Sequence, residues 1–161
     1  MGIAKSPPQE QKTTILHGTA VQLQSPHFEP AAVLLRGMSG SGKSDLAGRL
    51  IDAGGALICD DQVGLERRQD KVFADSVDTI RGLLEVRGVG LLTFPVADAT
   101  RLRLVVDLVK KEEVPRLPEW GEVDILGVSI PRIKLCAFEI SAALKVMRAM
   151  EVVHDPSIVV K

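Results

Sequence analysis

Apolar and polar positions change period several times along this chain, and each change marks an element. "TTILHGTAVQL" alternates and predicts a strand, or two short ones broken at Gly18. "SPHFEP" reads as a turn. "AAVLLRG" is apolar on both faces, the mark of a strand buried on both sides. The period then lengthens: from Ser44 to Ala53 apolar residues fall at 46, 47, 50 and 51, a helical stripe that Gly54 and Gly55 end. "ALIC" predicts a second buried strand, closed by Asp60 and Asp61. "VGLERRQDKVFAD" alternates around "RQDK" as a hairpin does. "LLEVRGVGLLTF" carries a further strand, then Gly88 and Gly90, and "RLRLVVDLV" is a strong strand. "KKEEVPRLPEWGE" is a charged loop with prolines. "VDILGVSIPRIKLCAF" predicts short strands with turns at Gly127 and Pro131. "EISAALKVMRAMEVV" predicts a last helix with its apolar face at 140, 143, 144, 147 and 150.

Strand, glycine-rich loop, helix, strand indicates an α/β fold, and the surplus of later strands makes it a mostly β-sheet core with flanking helices. Residues 1–12 are polar with a proline pair and predict a disordered N-terminal tail. Residues 13–161 then form a single domain, without internal repeat or linker.

Composition narrows the function classes. The 161 residues carry a net charge of −1, so no basic field favours nucleic acid. Aromatic residues are 3% with no tyrosine, which weakens base stacking on single strands. No secretory signal opens the chain, and no apolar run reaches the roughly 20 residues of a membrane span. The expectation is a cytoplasmic protein without membrane or nucleic-acid partners, its Cys59 and Cys136 reduced and buried.

The chemistry gathers at residues 37–44. Gly37, Met38, Ser39, Gly40, Ser41, Gly42, Lys43 and Ser44 fit G-x-x-x-x-G-K-[ST] at every fixed position, between a buried strand and a helix. Glycines let backbone N–H groups approach phosphate oxygens, and the helix start adds its positive dipole end. Lys43 supplies a mobile charge for the outer phosphates of a nucleoside triphosphate, and the Ser44 hydroxyl can ligate Mg²⁺. Such a site needs an acid at the end of a nearby strand. Asp60 and Asp61 lie at a strand's carboxyl end, where α/β sites form, and either could take a proton from an attacking hydroxyl. Asp107 is the competitor, set inside an apolar run at mid-strand or at an edge. His17, Glu85 and Arg87 add charge in patterns that are weak individually.

Together these pieces resemble the catalytic, C-terminal domain of HPr kinase/phosphorylase. The resemblance rests on "HGTAVQL", "GMSGSGKSDLAGRLIDAGGALICDD", "LLEVRGVGLLTF" and "PRLPEW", and runs from His17 to Met150. It implies a sheet akin to the nucleotide domain of phosphoenolpyruvate carboxykinase, in a short form lacking the family's N-terminal domain. It implies a serine kinase that moves the γ-phosphate of ATP to an HPr-like phosphocarrier protein of a phosphotransferase system. By position, His17, Lys43, Asp60 with Asp61, and Arg116 would be catalytic. Ser44 and Glu85 would hold Mg²⁺, and Arg87 would join the loop in binding nucleotide. The family is typically hexameric, so a homo-oligomer is expected. Where the family has a proline-, arginine- and glycine-rich loop for the reverse reaction, this chain reads "IPRIKLCAFEIS", with only Pro131 and Arg132 as hints. Glu139 would repel an anion there, so phosphorolysis is expected to be weak or absent. Two other readings remain: a small-molecule P-loop kinase, and a non-catalytic nucleotide-binding regulator of a signalling partner.

Overall fold

The computed structural model describes Gly2, residues 12–79 and residues 81–160; most of the expected tail lies outside the described residues. Among the described residues, eleven strands and two α-helices follow one another in a β-rich order. Strands β1 (Thr13–His17), β2 (Thr19–Ser25) and β3 (Phe28–Arg36) precede helix α1 (Lys43–Asp52). Then come β4 (Ala56–Cys59), β5 (Gln62–Arg68), β6 (Lys71–Ser76), β7 (Leu83–Val86), β8 (Gly90–Thr93) and β9 (Thr100–Leu108). The chain closes with β10 (Gly121–Ile125), β11 (Val128–Leu135) and α2 (Ala142–His154).

Nine strands form one sheet around β3 and β9. These two run parallel, with Arg36 opposite Asp107. On its other side β9 pairs first with β6, at Thr100 and Arg101, and then with β11, from Val105 to Leu108. Strand β2 is antiparallel to both β3 and β4. Strands β4, β3, β9 and β11 therefore point the same way, and their carboxyl ends share one edge, where ligand sites form in open α/β sheets. Strands β7 and β8 make a separate hairpin.

Both faces of the sheet are covered. Val33, Leu35, Leu104 and Val106 pack on α1 and α2 through Leu46, Leu50, Val146 and Met150. Ala32, Leu34, Leu102 and Val105 face the second core, with Val63, Leu65, Val72 and Ile130. Two buried faces explain the unbroken apolar runs of β3 and β9. Truncating Leu34, which is fully buried, to Ala would cost about 2–5 kcal/mol.

Several expectations need correcting. The buried face of α2 is Ala142, Val146, Ala149 and Met150. Ile140 precedes the helix and Leu144 faces solvent; Ala143 and Met147 only flank the core. Apolar residues nearly encircle this helix, so the helical period alone admits two stripes. Pro131 sits inside β11 rather than at a turn. The ladder with β9 begins one residue later, at Arg132, so β9 needs no N–H from Pro131. The "LLEVRGVGLLTF" segment is a hairpin, not one strand. The turn between β2 and β3 is shorter than "SPHFEP", because Phe28 already opens β3.

Candidate functional site

Strand β3 delivers Arg36 to the sheet edge, and residues 37–42 turn from there into α1. Gly42 ends the loop with φ 91°, a left-handed conformation that favours glycine, and a Cβ there would stand 2.7 Å from the Ala137 Cβ. A Cβ on Gly37 would collide with the Ser41 side chain and lie 3.1 Å from the Leu108 carbonyl oxygen. The first N–H groups of α1 have no partner within the helix, which makes this end an anion cradle. The Lys43 ammonium folds over the loop and donates to the carbonyls of Gly37 (2.7 Å) and Met38 (3.0 Å). Its charge is not neutralised by a carboxylate among the described residues.

Asp60, just past β4, faces this helix start. Ser44 Oγ lies 3.3 Å from each of its carboxylate oxygens, and the buried Thr19 hydroxyl donates to Oδ1 at 2.7 Å. Asp61 points elsewhere. Its φ of 71° is left-handed, a conformation that aspartate tolerates better than most residues. Its carbonyl accepts from Gly18 N–H at 3.0 Å. Its carboxylate lies 3.2 Å from His17 Nδ1, and both side chains are largely exposed. The adjacent acids thus serve different partners: one the helix hydroxyl, the other an imidazole.

Asp107 is placed one residue from the end of β9. Arg36 grips both its oxygens, at 2.8 and 3.1 Å, and Arg132 lies 3.7 Å from Oδ2. Two guanidinium groups therefore occupy this half-buried carboxylate, which bonds to neither Ser44 nor Lys43.

A cleft of about 320 Å³ opens beside Asp60, lined by Cys59, Ser76, Asp78, Thr79 and Arg81 among others. The Cys59 thiol donates to the Gln62 carbonyl at 2.7 Å. Burial, and then the negative charge of Asp60, Asp78, Asp75 and Asp61, pushes this thiol up to about 12. Cys59 and Cys136 are both buried and unbridged, as expected of reduced thiols.

The remaining candidates stand apart from this cluster. Leu84 anchors the β7–β8 hairpin in the helix-side core, so its neighbour Glu85 faces out, opposite Leu91. Glu85 borders a groove of about 400 Å³ with Val86, Gly88 and Val89. Arg87 is exposed at the hairpin turn, and Arg116 is exposed in the loop between β9 and β10. None of these three forms an ion pair among the described residues. Ser44 and Asp60 offer hard oxygen donors that suit Mg²⁺, while no group of three or more His, Cys, Asp or Glu side chains is gathered for a metal among the described residues.

Sequence reasoning missed two residues at this edge. Thr19 was legible as a hydroxyl among buried apolar positions. Arg36, a charge ending a buried strand just before the loop, carried the same kind of signal.

Comparison with known proteins adds relatives to this geometry. The family model for the HPr serine kinase C-terminal domain matches residues 9–154. The HPr kinase/phosphorylase of Acidovorax sp. (strain JS42) is 36% identical over 133 residues, covering 74% of this chain and 40% of that protein. That of Leptothrix cholodnii is 41% identical over 114 residues, covering 63% and 35%. This chain thus spans about 40% of the length of the curated relatives it matches. The solved structure of the Hpr(Ser) kinase/phosphatase from Coxiella burnetii superposes with a TM-score of 0.74 at 23% identity, over 89% of this chain and 92% of that one. At that identity the likeness speaks for the fold.

Proposed function

This chain belongs to the HPr serine kinase C-terminal domain family, and from that premise we propose that it is a kinase moving the γ-phosphoryl group of ATP to a serine of an HPr-like phosphocarrier protein. The observation that carries the reading is the convergence of Lys43, Ser44 and Asp60 at the start of α1, with the Asp61–His17 pair alongside.

The roles follow from the partners. Loop N–H groups and the α1 N-terminus hold the phosphates. Lys43 exchanges its two carbonyl partners for the outer phosphate oxygens, placing positive charge where negative charge develops in the transition state. Ser44 and Asp60 would hold Mg²⁺, which neutralises charge on the β- and γ-phosphates when bound. Asp61 is the base: its exposed carboxylate can meet a serine carried on a protein surface, and His17 orients it. The serine hydroxyl proton passes to Asp61, the serine oxygen bonds to the γ-phosphorus, and the bond to the β-phosphate oxygen breaks to release ADP. The family resemblance gives Glu85 to the metal, Arg87 to the nucleotide and Arg116 to catalysis. The exposure of each leaves it accessible to ligands.

The same reading makes the reverse reaction weak. Arg132, one of the few cations of "IPRIKLCAFEIS", lies within β11 and already leans on Asp107. Glu139, the charge expected to repel an anion there, is paired with Lys145 at 2.7 Å and held below the usual carboxylate range by that hydrogen bond. Cytoplasmic location and a homo-oligomer, hexameric by resemblance, belong to the same proposal. No described helix is long and apolar enough to cross a membrane.

The test is to incubate the purified chain with MgATP and an HPr-like carrier, and to map the phosphate by mass spectrometry. Phosphoserine on the carrier supports the reading. Nucleotide binding without transfer would favour the regulator, and transfer only to small molecules the alternative kinase.

A further inference from the structure

The four phenylalanines divide three to one. Phe28 is buried and stacks on His154, with ring centroids 5.0 Å apart. Phe73 lies beneath the Arg68 guanidinium, 4.6 Å from its ring centre, and Phe94 packs on the helix-side core. Phe138 is 68% exposed, and Ile140 beside it is fully exposed.

These two sit in the connection from β11 to α2, which crosses the start of α1. The connection is fastened. Arg49 on α1 donates to the carbonyl of Glu139 at 3.0 Å and to that of Ala137. Glu139 pairs with Lys145 on α2. The Phe138 ring lies so close to the phosphate loop that a Cβ on Gly42 would stand 3.2 Å from its Cε1 and Cζ. A rigid, exposed aromatic surface thus adjoins the last residue of the loop.

We propose that Phe138, flanked by Ile140, is the platform on which the purine of the bound nucleotide stacks. The inference rests on the phosphate-loop reading above and goes beyond it by naming the residue that holds the base. A nucleotide whose phosphates lie on the loop and the first turn of α1 must carry its base outward, past the surface of that turn. Burying a flat apolar base there requires a flat apolar surface, and aromatic side chains stack on bases irrespective of hydrogen-bond pattern. Fixing the platform through Arg49 means little freedom is lost when the base binds.

The experiment compares MgATP with magnesium tripolyphosphate by isothermal titration calorimetry, on wild type, Phe138→Ala and Phe138→Trp. Tripolyphosphate has the phosphates and lacks the base. Phe138→Ala is expected to weaken ATP about tenfold and leave tripolyphosphate unchanged, while Phe138→Trp keeps ATP affinity. Unchanged ATP affinity in Phe138→Ala would overturn the proposal and turn this surface toward a protein partner. Equal weakening of both ligands would also overturn it, since Phe138 would then only shape the loop. A wild-type chain that binds neither ligand would bring down the phosphate-loop reading itself.

Discussion

Strands β4 and β9 reach the same edge of the sheet, and each presents an aspartate there, yet the two ends are built for opposite purposes. At β9, Asp107 is clamped by Arg36 through two short hydrogen bonds, with Arg132 behind it. At β4, Asp60 accepts from two hydroxyls and Asp61 meets an imidazole that is charged only when protonated. A carboxylate between guanidinium groups has a full structural occupation. One among hydroxyls keeps capacity for a cation or a proton. Partner chemistry therefore separates the two ends, where strand position does not.

The largest expected effect lies between the two ends. Lys43→Ala should reduce carrier phosphorylation about 10³-fold, because it removes charge stabilisation from the transferring group. The fold should survive, as Lys43 bonds only to loop carbonyls among the described contacts. Unchanged turnover in a folded variant would dissolve the contrast altogether. Next, Asp107→Asn should cost about 2 kcal/mol in urea denaturation, since it removes charge from a half-buried bidentate pair. Its transfer rate should stay close to wild type; a folded but inactive Asp107→Asn would show that the catalytic acid is at β9. Smaller again, Thr19→Val should cost about 1 kcal/mol by leaving Asp60 without its 2.7 Å donor. It should also weaken Mg²⁺ dependence more than it weakens nucleotide binding.

Cys59 sharpens the same contrast through pH. Its thiol stays protonated in the folded chain up to about 12, so the folded state keeps a proton that the unfolded state releases from 9.0 upward. Stability should therefore fall as pH rises through that window. Denaturation at pH 7 and pH 10 should show a larger loss for wild type than for Cys59→Ser, and equal losses would remove the buried thiol, raised by burial and then by its acidic neighbours, as the source.

Much of this was readable in the chain. The loop from Gly37 to Ser44 announced itself because each residue type has a separate physical duty. Strands β3 and β4 followed from short apolar runs. The division of labour between Asp60 and Asp61 was not readable, because it depends on the left-handed backbone at Asp61 and on register that sets His17 opposite Gln62. Nor was the occupation of Asp107, whose partners come from β3 and β11, 71 residues before it and 25 after it. The inward face of α2 was misread because Leu144 and Ile140 are as apolar as the residues that point in. Only packing against α1 and β9 distinguishes them.

The most direct test of the central claim is the rate of phosphoserine formation on an HPr-like carrier by Asp61→Asn, at saturating MgATP, with nucleotide affinity measured on the same preparation. With Asp61 as base and Asp60 on the metal side, the rate should fall about 10²–10⁴-fold while nucleotide affinity holds. A near-normal rate would contradict the account, since proton removal would then belong to another group.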